Sequence, residues 1–239
     1  MPESFYDRDF TDSTFWGVQF SRAKFRDADF SESSFFHVLM RNVAIDGEID
    51  HVIINGVDVT DYVNQQDRWW PLRKNLSPTS VEVLVQSWDD LTGEWDALLG
   101  RAATADPKVL DTSVNGEWSL IDTLRHLIFA MDKWFSLPIL KEQSFNAVGL
   151  PNTESKDRPW PGLSYSVSVD FADVLGERRL QQRKFSTFIS TLRIEDLPPF
   201  VVIEENGQVP ALVCFHVVLE EEFEHLRYAI RDLSALGVT

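Results

Sequence analysis

Hydrophobic residues recur at intervals of three and four positions in four segments of the later part of the chain. The segments cover residues 80–103, 120–135, 170–192 and 212–233. This spacing places apolar side chains on one face of an α-helix and leaves the charged side chains on the other. The sequence therefore predicts four amphipathic helices. In the third helix the pattern predicts that Leu180 points inward and that Arg178 and Gln181 point outward.

The ends of these helices also carry signals. Ser119 precedes the second helix and is a good N-cap residue, with Asp122 three positions later in a box-like role. Thr79 or Ser80 can cap the first helix. Residues 136–168, which are rich in Pro, Ser, Asn and Gly, predict a long crossover. Such a connection allows the third helix to run parallel to the second.

The first 46 residues follow a different pattern, in which phenylalanine recurs at every fifth position. The phenylalanines are Phe5, Phe10, Phe15, Phe20, Phe25, Phe30 and Phe35. A period of five fits neither the helix nor the strand, so no regular element keeps all these rings on one face. A coil that turns a corner every five residues does so, and it stacks each ring on a ring of the next coil. This segment resembles the pentapeptide-repeat family, which implies a right-handed β-solenoid.

So short a solenoid needs a cap. Residues 49–63 alternate Val and Ile with polar residues and contain the Asn55–Gly56 turn signal, which predicts a capping hairpin. We therefore expect a solenoid with its cap over residues 1–64, a linker over 65–79 and a helical bundle over 80–239. The predicted fold class is mixed but mainly α-helical.

Composition narrows the function classes. The 239 residues are 44% hydrophobic and 25% charged, which is typical of a globular protein, and the net charge is −16. This acidity argues against nucleic acid or an anionic membrane as a partner. The chain contains no apolar run long enough to span a membrane, and its first ten residues have neither the basic nor the apolar region of a signal peptide, so we expect neither a membrane span nor a signal sequence. With one cysteine, Cys214, it cannot form an internal disulfide, and we expect a cytoplasmic protein.

Candidate chemistry is concentrated on the fourth helix. Glu221 and Glu222 both lie within about 60° of His225 around the helix axis, so either carboxylate can share a site with this imidazole. A carboxylate and an imidazole at the edge of an apolar stripe need a partner that offsets their desolvation, and a divalent metal satisfies both. The alternative is a charged, solvated helix face. His126 on the second helix is by itself more typical of a core or rim residue.

The segment from Trp118–Ser119 to His126–Leu127 and the segment from Glu221 to Leu233 together resemble the DinB-like superfamily. The resemblance implies an antiparallel four-helix bundle and a divalent metal bound by His126, Glu221 and His225. The family's usual pattern on the later helix is His-x3-His, whereas this chain has Glu221 in place of the first histidine. The mycothiol-dependent maleylpyruvate isomerases, a related branch, are similar in using one Glu ligand.

Three protein ligands leave one coordination position open, which is the catalytic arrangement for zinc, with nickel as the alternative metal. The resemblance thus implies an enzyme that activates a low-molecular-weight thiol for S-transfer or isomerisation of an electrophile. Weaker candidates for substrate contact are Asp122, Arg125, Glu222 and Arg227. Cys214 is predicted to be a packed core residue.

Two other functions stay open on the sequence alone. The chain could bind a metal or ligand without catalysis, or it could be an interaction protein that docks a partner through the acidic residues of the repeat. Those acidic residues are Asp7, Asp9, Asp12, Asp27, Asp29 and Glu32. A solvated face on a stabilising module is the simpler interpretation of them. Exposed tryptophans near Trp69–Trp70 make a homodimer plausible.

Overall fold

The computed structural model describes residues 3–6, 8–26, 28–152, 155, 158–164 and 169–238. Asp7 and Asp27, two of the acidic residues named above, lie outside the described residues. The chain forms two compact units that divide between Gly47 and Glu48. The predicted boundaries at residues 64 and 79 stay predictions.

The first unit repeats its backbone conformation with the same period of five as its sequence. A positive φ recurs at five-residue spacing at Asp12, Gly17, Arg22, Glu32, His37 and Asn42. The seven rings from Phe5 to Phe35 make six contacts, each with the ring five positions later, at centroid distances of 5.4 to 6.1 Å. Among the described residues of this unit no strand forms. The ring contacts join consecutive repeats and not successive coils, so the β-solenoid itself stays a prediction.

The second unit begins with a hairpin and two short helices. Strands β1 (Ile53–Ile54) and β2 (Val57–Asp58) pair antiparallel. The turn residues Asn55 and Gly56 both have positive φ, as a two-residue hairpin loop requires. The hairpin predicted from Asn55–Gly56 is thus confirmed. Helices α1 (Thr60–Gln66) and α2 (Trp70–Arg73) follow, so part of the predicted linker is helical.

Four long helices form the body of the second unit. They are α3 (Val81–Ala102), α5 (Leu120–Met131), α6 (Phe171–Ile189) and α7 (Ala211–Ala235), and a short α4 (Pro107–Leu110) lies between the first two. Both α3 and α5 pack against α6 and α7. The apolar faces meet in one core that includes Trp88, Trp95, Leu124, Phe185 and Phe223. The predicted helical fold is confirmed.

The predicted caps are present. The Ser80 hydroxyl accepts a hydrogen bond from the Val83 N–H, and the Ser119 hydroxyl accepts one from the Asp122 N–H. The second cap determines where α5 starts. At its other end α5 continues as one turn of π-helix, Asp132–Ser136, in which the Asp132 side chain is buried.

Helix α6 corrects one prediction. Arg178 and Gln181 are buried, whereas Leu180 is 47% exposed. The arginine pairs with a glutamate of α7, and the glutamine amide donates to Asp132 Oδ1 and to the Ile128 carbonyl. Within the described residues these partners bind Arg178 Nη2 and the Gln181 amide nitrogen, whereas Arg178 Nε, Arg178 Nη1 and Gln181 Oε1 are buried without a hydrogen-bond partner. The helix therefore turns a partly polar face inward.

A second hairpin precedes α7. Strands β3 (Phe200–Ile203) and β4 (Gly207–Pro210) pair antiparallel, after a 3-10 turn at Ile194–Asp196. Cys214 is buried in a small apolar cluster with Val201, Ile203 and Ala211. Within the described residues, no helix combines the length and apolar composition that crossing a bilayer requires.

Candidate metal centre

Helix α7 contributes two side chains that meet one helical turn apart. Oε2 of Glu221 lies 3.2 Å from Nε2 of His225. The buried Leu219, Phe223 and Leu226 fix the rotation of α7 against the core and leave these two groups at its edge. The side chains of Glu221 and His225 are 28% and 16% exposed. The pair thus lies where a small ligand can reach it.

Helix α5 contributes the third side chain. His126 is buried, and its Nε2 lies 3.2 Å from the same Oε2 of Glu221. One ligand atom from each of the three residues lies within 4.8 Å of the other two. Packing of α5 on α7 therefore brings the two imidazoles and the carboxylate together. These are the three residues that the resemblance to the DinB-like superfamily implies as metal ligands.

A backbone carbonyl orients His126. Its Nδ1 lies 3.1 Å from the Leu150 carbonyl oxygen. Because a carbonyl oxygen only accepts, Nδ1 is the donor in this bond, and Nε2 is the nitrogen that can coordinate a cation. An imidazole held in this way is typical of a metal ligand.

Trp118 covers both imidazoles, a role that the sequence did not reveal. Its ring stacks on His225 at 5.9 Å and 24°, and it lies over His126 at 4.6 Å. In the sequence, Trp118 begins the segment that resembles the DinB-like superfamily and directly precedes the N-cap residue Ser119, eight positions before His126. The indole shields one side of the cluster from water.

The electrostatics of the cluster favour an ionised carboxylate. Burial alone would raise the pKa of Glu221, but hydrogen bonds and positive charge from His126 and His225 hold that pKa well below its usual range. Glu221 is thus a carboxylate that bridges two imidazoles. Such an arrangement is either a structural ion pair or a metal-binding group.

Two of the weaker candidates lie close to His126 in the chain but are already engaged. Asp122 accepts a hydrogen bond from the Ser119 hydroxyl at the helix start. Arg125 donates from Nε to the Val148 carbonyl at 3.0 Å, and its Nη1 lies 3.5 Å from Asp122 Oδ1. Its side chain is 15% exposed. Substrate contact by Asp122 and Arg125 stays a prediction.

The other two candidates have partners outside the cluster. Glu222 is 2% exposed and accepts a hydrogen bond from Arg178 inside the bundle, while its own carbonyl accepts from the Trp95 indole. The carboxylate that joins the two imidazoles is that of Glu221 and not that of Glu222, and substrate contact by Glu222 and Arg227 stays a prediction. Arg227 pairs with Glu224 at 2.9 Å and packs over the Phe223 ring. Neither residue joins the three-residue cluster.

Arg178 is an interior residue that was predicted to point outward, although its position in the sequence fits the buried face of the helix. Residues 174, 178, 181, 185 and 189 follow the three- and four-residue steps of one helix face, and all five are buried. The guanidinium of Arg178 also packs at 5.6 Å from the Trp95 ring. The five positions form one continuous helix face, and only the polar side chains of Arg178 and Gln181 distinguish it from an apolar stripe.

The comparisons with known families agree with this geometry. A family model for the DinB superfamily matches residues 90–229, which is more than half of the chain. The chain belongs to the DinB superfamily. A pentapeptide-repeat model matches residues 5–42 with eight copies. No curated protein and no solved structure matches the chain.

The DinB match and the His/Glu cluster fall in the same part of the molecule. All three cluster residues lie inside the matched range. The DinB superfamily is generally metal-binding, so a candidate metal site at this place fits the family.

Proposed function

We propose that this DinB protein binds one divalent metal ion through His126, Glu221 and His225. The observation that carries the proposal is that Glu221 Oε2 lies 3.2 Å from Nε2 of each histidine. A tetrahedral ion with bonds of about 2.0–2.1 Å separates its ligand atoms by about 3.3–3.4 Å. The two distances from Glu221 match such an ion, and the imidazole nitrogens, which lie within 4.8 Å of each other, complete a set of three donors around one point.

The donor set also fits. Two imidazole nitrogens and one carboxylate oxygen form a three-ligand set typical of catalytic zinc, which keeps one position for water or substrate. Nickel accepts the same ligand types, so it is the second metal to test. The Leu150 carbonyl supports the assignment, because it holds His126 with Nε2 directed to Glu221.

We further propose an enzyme that activates a low-molecular-weight thiol, for which mycothiol is one example. A divalent ion in this site would lower the pKa of a thiol and so supply a thiolate for S-transfer or isomerisation. The thiol must come from outside the chain, because the one cysteine, Cys214, is buried and its pKa is raised to about 11. Trp118 contributes by keeping water from one side of the imidazoles.

The first test is metal content by mass spectrometry on wild type, His225→Ala and His216→Ala. His216 is the matched control, because it lies on the same helix but hydrogen-bonds to the Pro78 carbonyl. We expect one ion per chain in wild type and in His216→Ala, and none in His225→Ala. Wild-type protein that stays metal-free after zinc loading would contradict the proposed site.

The second test concerns the thiol. Cobalt-loaded protein is titrated with mycothiol, with glutathione and with an alcohol analogue that lacks sulfur, and the near-ultraviolet absorption is followed. A thiol that binds the metal gives a sulfur-to-cobalt charge-transfer band, and the alcohol does not. If cobalt-loaded protein shows this band with neither thiol, the protein binds a metal but does not bind these thiols at it. That result would contradict the proposed thiol chemistry.

A second candidate function is a docking protein. The observation that favours it is that every described residue from 3 to 46 is exposed, including seven phenylalanines at 47% to 62%. The test compares full-length wild type with the double variant Asp12→Asn, Glu32→Gln. A docking protein loses its basic partner in this variant, whereas metal content stays as in wild type.

A further inference from the structure

Two groups of the protein itself contact the guanidinium of Arg125. Its Nε donates to the Val148 carbonyl at 3.0 Å, and its Nη1 faces Asp122. Its backbone carbonyl accepts a hydrogen bond from the Leu150 N–H, also at 3.0 Å. Side chain and backbone of one residue thus hold both ends of the stretch Val148–Leu150 against α5.

The next residue along α5 uses the same stretch. The Leu150 carbonyl, in the residue whose N–H binds Arg125, is the acceptor for Nδ1 of His126 at 3.1 Å. The position of this carbonyl decides how the imidazole ring is rotated. A displacement of Val148–Leu150 would therefore rotate the imidazole and change the direction in which Nε2 of His126 points.

The opposite side of the stretch is also fixed. Asn146 accepts from the Val148 N–H through Oδ1 and from the Gly149 N–H through its carbonyl, both at 3.1 Å. The Asn146 N–H donates to Asp132 Oδ2, and its amide group donates to Glu177 Oε2, each at 2.7 Å. Asn146 thus anchors the stretch to α6 and to the π-helical turn.

Gly149 shows how closely this stretch approaches the bundle. A Cβ added at Gly149 would lie 3.0 Å from Leu163 Cδ2 and 3.4 Å from Phe129 Cβ. The backbone therefore packs directly against side chains on both sides. With this packing in place, Arg125 supplies the side-chain bond that closes the stretch onto α5.

We propose that Arg125 is a positioning residue that fixes the orientation of His126 by holding the Val148 carbonyl, and through it the Leu150 carbonyl, against α5. The consequence for metal affinity rests on the proposed metal site. The role differs from substrate binding, because it depends on the Nε donor and not on the positive charge. This difference makes the two roles separable.

Two substitutions separate them. Arg125→Gln keeps an N–H donor attached to Cδ, at the position of Nε, and removes the charge. Arg125→Met keeps a stem of similar length and removes the donor. Arg193→Met is the matched control, since Arg193 also pairs with an aspartate three positions away, Asp196, and no side-chain bond of Arg193 within the described residues reaches the stretch Val148–Leu150.

The first measurement is the exchange of the His126 Nδ1 proton with water, followed by NMR in metal-free protein. We expect slow exchange in wild type, Arg125→Gln and Arg193→Met, and exchange at least tenfold faster in Arg125→Met. Unfolding midpoints of all four proteins show whether the fold is intact. Equal exchange in the Met and Gln variants would overturn the proposal, whether both are slow or both are fast.

The second measurement is zinc affinity by competition with a chelating dye. Arg125→Met should bind zinc about tenfold or more weakly, and Arg125→Gln within about threefold of wild type, as expected for loss of an outer-shell contact. Unchanged affinity in Arg125→Met would also overturn the proposal. If no protein binds zinc, the proposed metal function fails, and the Nδ1 exchange still decides whether Arg125 positions His126.

Discussion

Nε2 of His126 lies 3.2 Å from Oε2 of Glu221, although 95 positions separate these residues in the chain. The contact joins α5 to α7 and places the Glu221 carboxylate between two imidazoles. Through it the pKa of Glu221 is held low, and through it the three candidate ligands converge. The folding stability and the proposed metal binding therefore depend on the same carboxylate.

Glu221→Gln should make metal-free protein less stable above the usual glutamate pKa of 4.5. Because the pKa of Glu221 is lowered by folding, its contribution is present above that value and is lost as the pH falls through the folded-state pKa. We expect a loss of about 2 kcal/mol near pH 6, as for hydrogen bonds to a charged group, from urea unfolding. A difference between the two proteins that does not shrink on acidification would contradict this account.

Glu224→Gln is the matched control for Glu221→Gln. It removes a carboxylate three positions along α7 that pairs with Arg227 and not with the imidazoles. The same unfolding series should separate the two variants. Only the Glu221 substitution should lower zinc affinity.

Single substitutions in the buried pair of Arg178 and Glu222 should be much more harmful than the double substitution. The side chains are 0% and 2% exposed. Arg178→Met or Glu222→Leu leaves one uncompensated buried charge and should destabilise the fold by about 3–5 kcal/mol. The unfolding free energy of the double variant should lie within about 1 kcal/mol of that of wild type, or should be higher. Denaturant unfolding of all four proteins gives the coupling energy.

The exposed pair of Lys184 and Glu142 provides the comparison for that cycle. Its side chains are 51% and 37% exposed. The same double-mutant cycle there should give a coupling energy below about 1 kcal/mol. Equal coupling in the two pairs would show that burial does not set the strength of the Arg178–Glu222 contact.

Asp132 should make the fold less stable as the pH rises. Burial raises the pKa of Asp132, and hydrogen bonds from Asn146 and Gln181 counteract only part of this effect. The native state therefore binds a proton more readily than the unfolded chain does, so stability falls from the usual aspartate pKa of 3.8 up to the raised value. We expect the unfolding free energy of wild type, relative to Asp132→Asn, to decrease over this range.

Asp96→Asn, on the exposed surface of α3, is the control for the Asp132 series. The unfolding free energy of wild type relative to Asp96→Asn should not decrease over the same pH range. A wild-type protein that instead gains stability over Asp132→Asn as the pH rises would reverse the sign of the argument.

Cys214 should be unreactive in the folded protein. Burial raises the pKa of its thiol from 9.0 to about 11, which reduces the thiolate fraction at neutral pH about 100-fold. Labelling with a disulfide reagent should therefore be at least about 100-fold slower in the native protein than in urea. Fast labelling of folded protein would show that the hairpin β3–β4 opens readily above α7.

Much of the helical architecture followed from local pattern. The three- and four-residue steps predicted α3, α5, α6 and α7, and the hydroxyls of Ser80 and Ser119 cap two of them as expected. These features depend on residues within one turn of each other, which is why a sequence contains them. The same reasoning placed Glu221 and His225 on one face of α7. The assignment of His126 to the same site required the family resemblance.

What the sequence by itself determined was therefore the elements, their caps, the five-residue repeat and the pairing of groups along one helix. The tertiary structure decided which polar groups face inward. Arg178 and Gln181 were expected outside because burying a polar side chain depends on a partner from another element, and Glu222 and Asp132 supply it. It also decided that Trp118 covers the imidazoles and that the Leu150 carbonyl orients His126. Each of these contacts joins residues distant in the chain, so their geometry exists only once the helices pack.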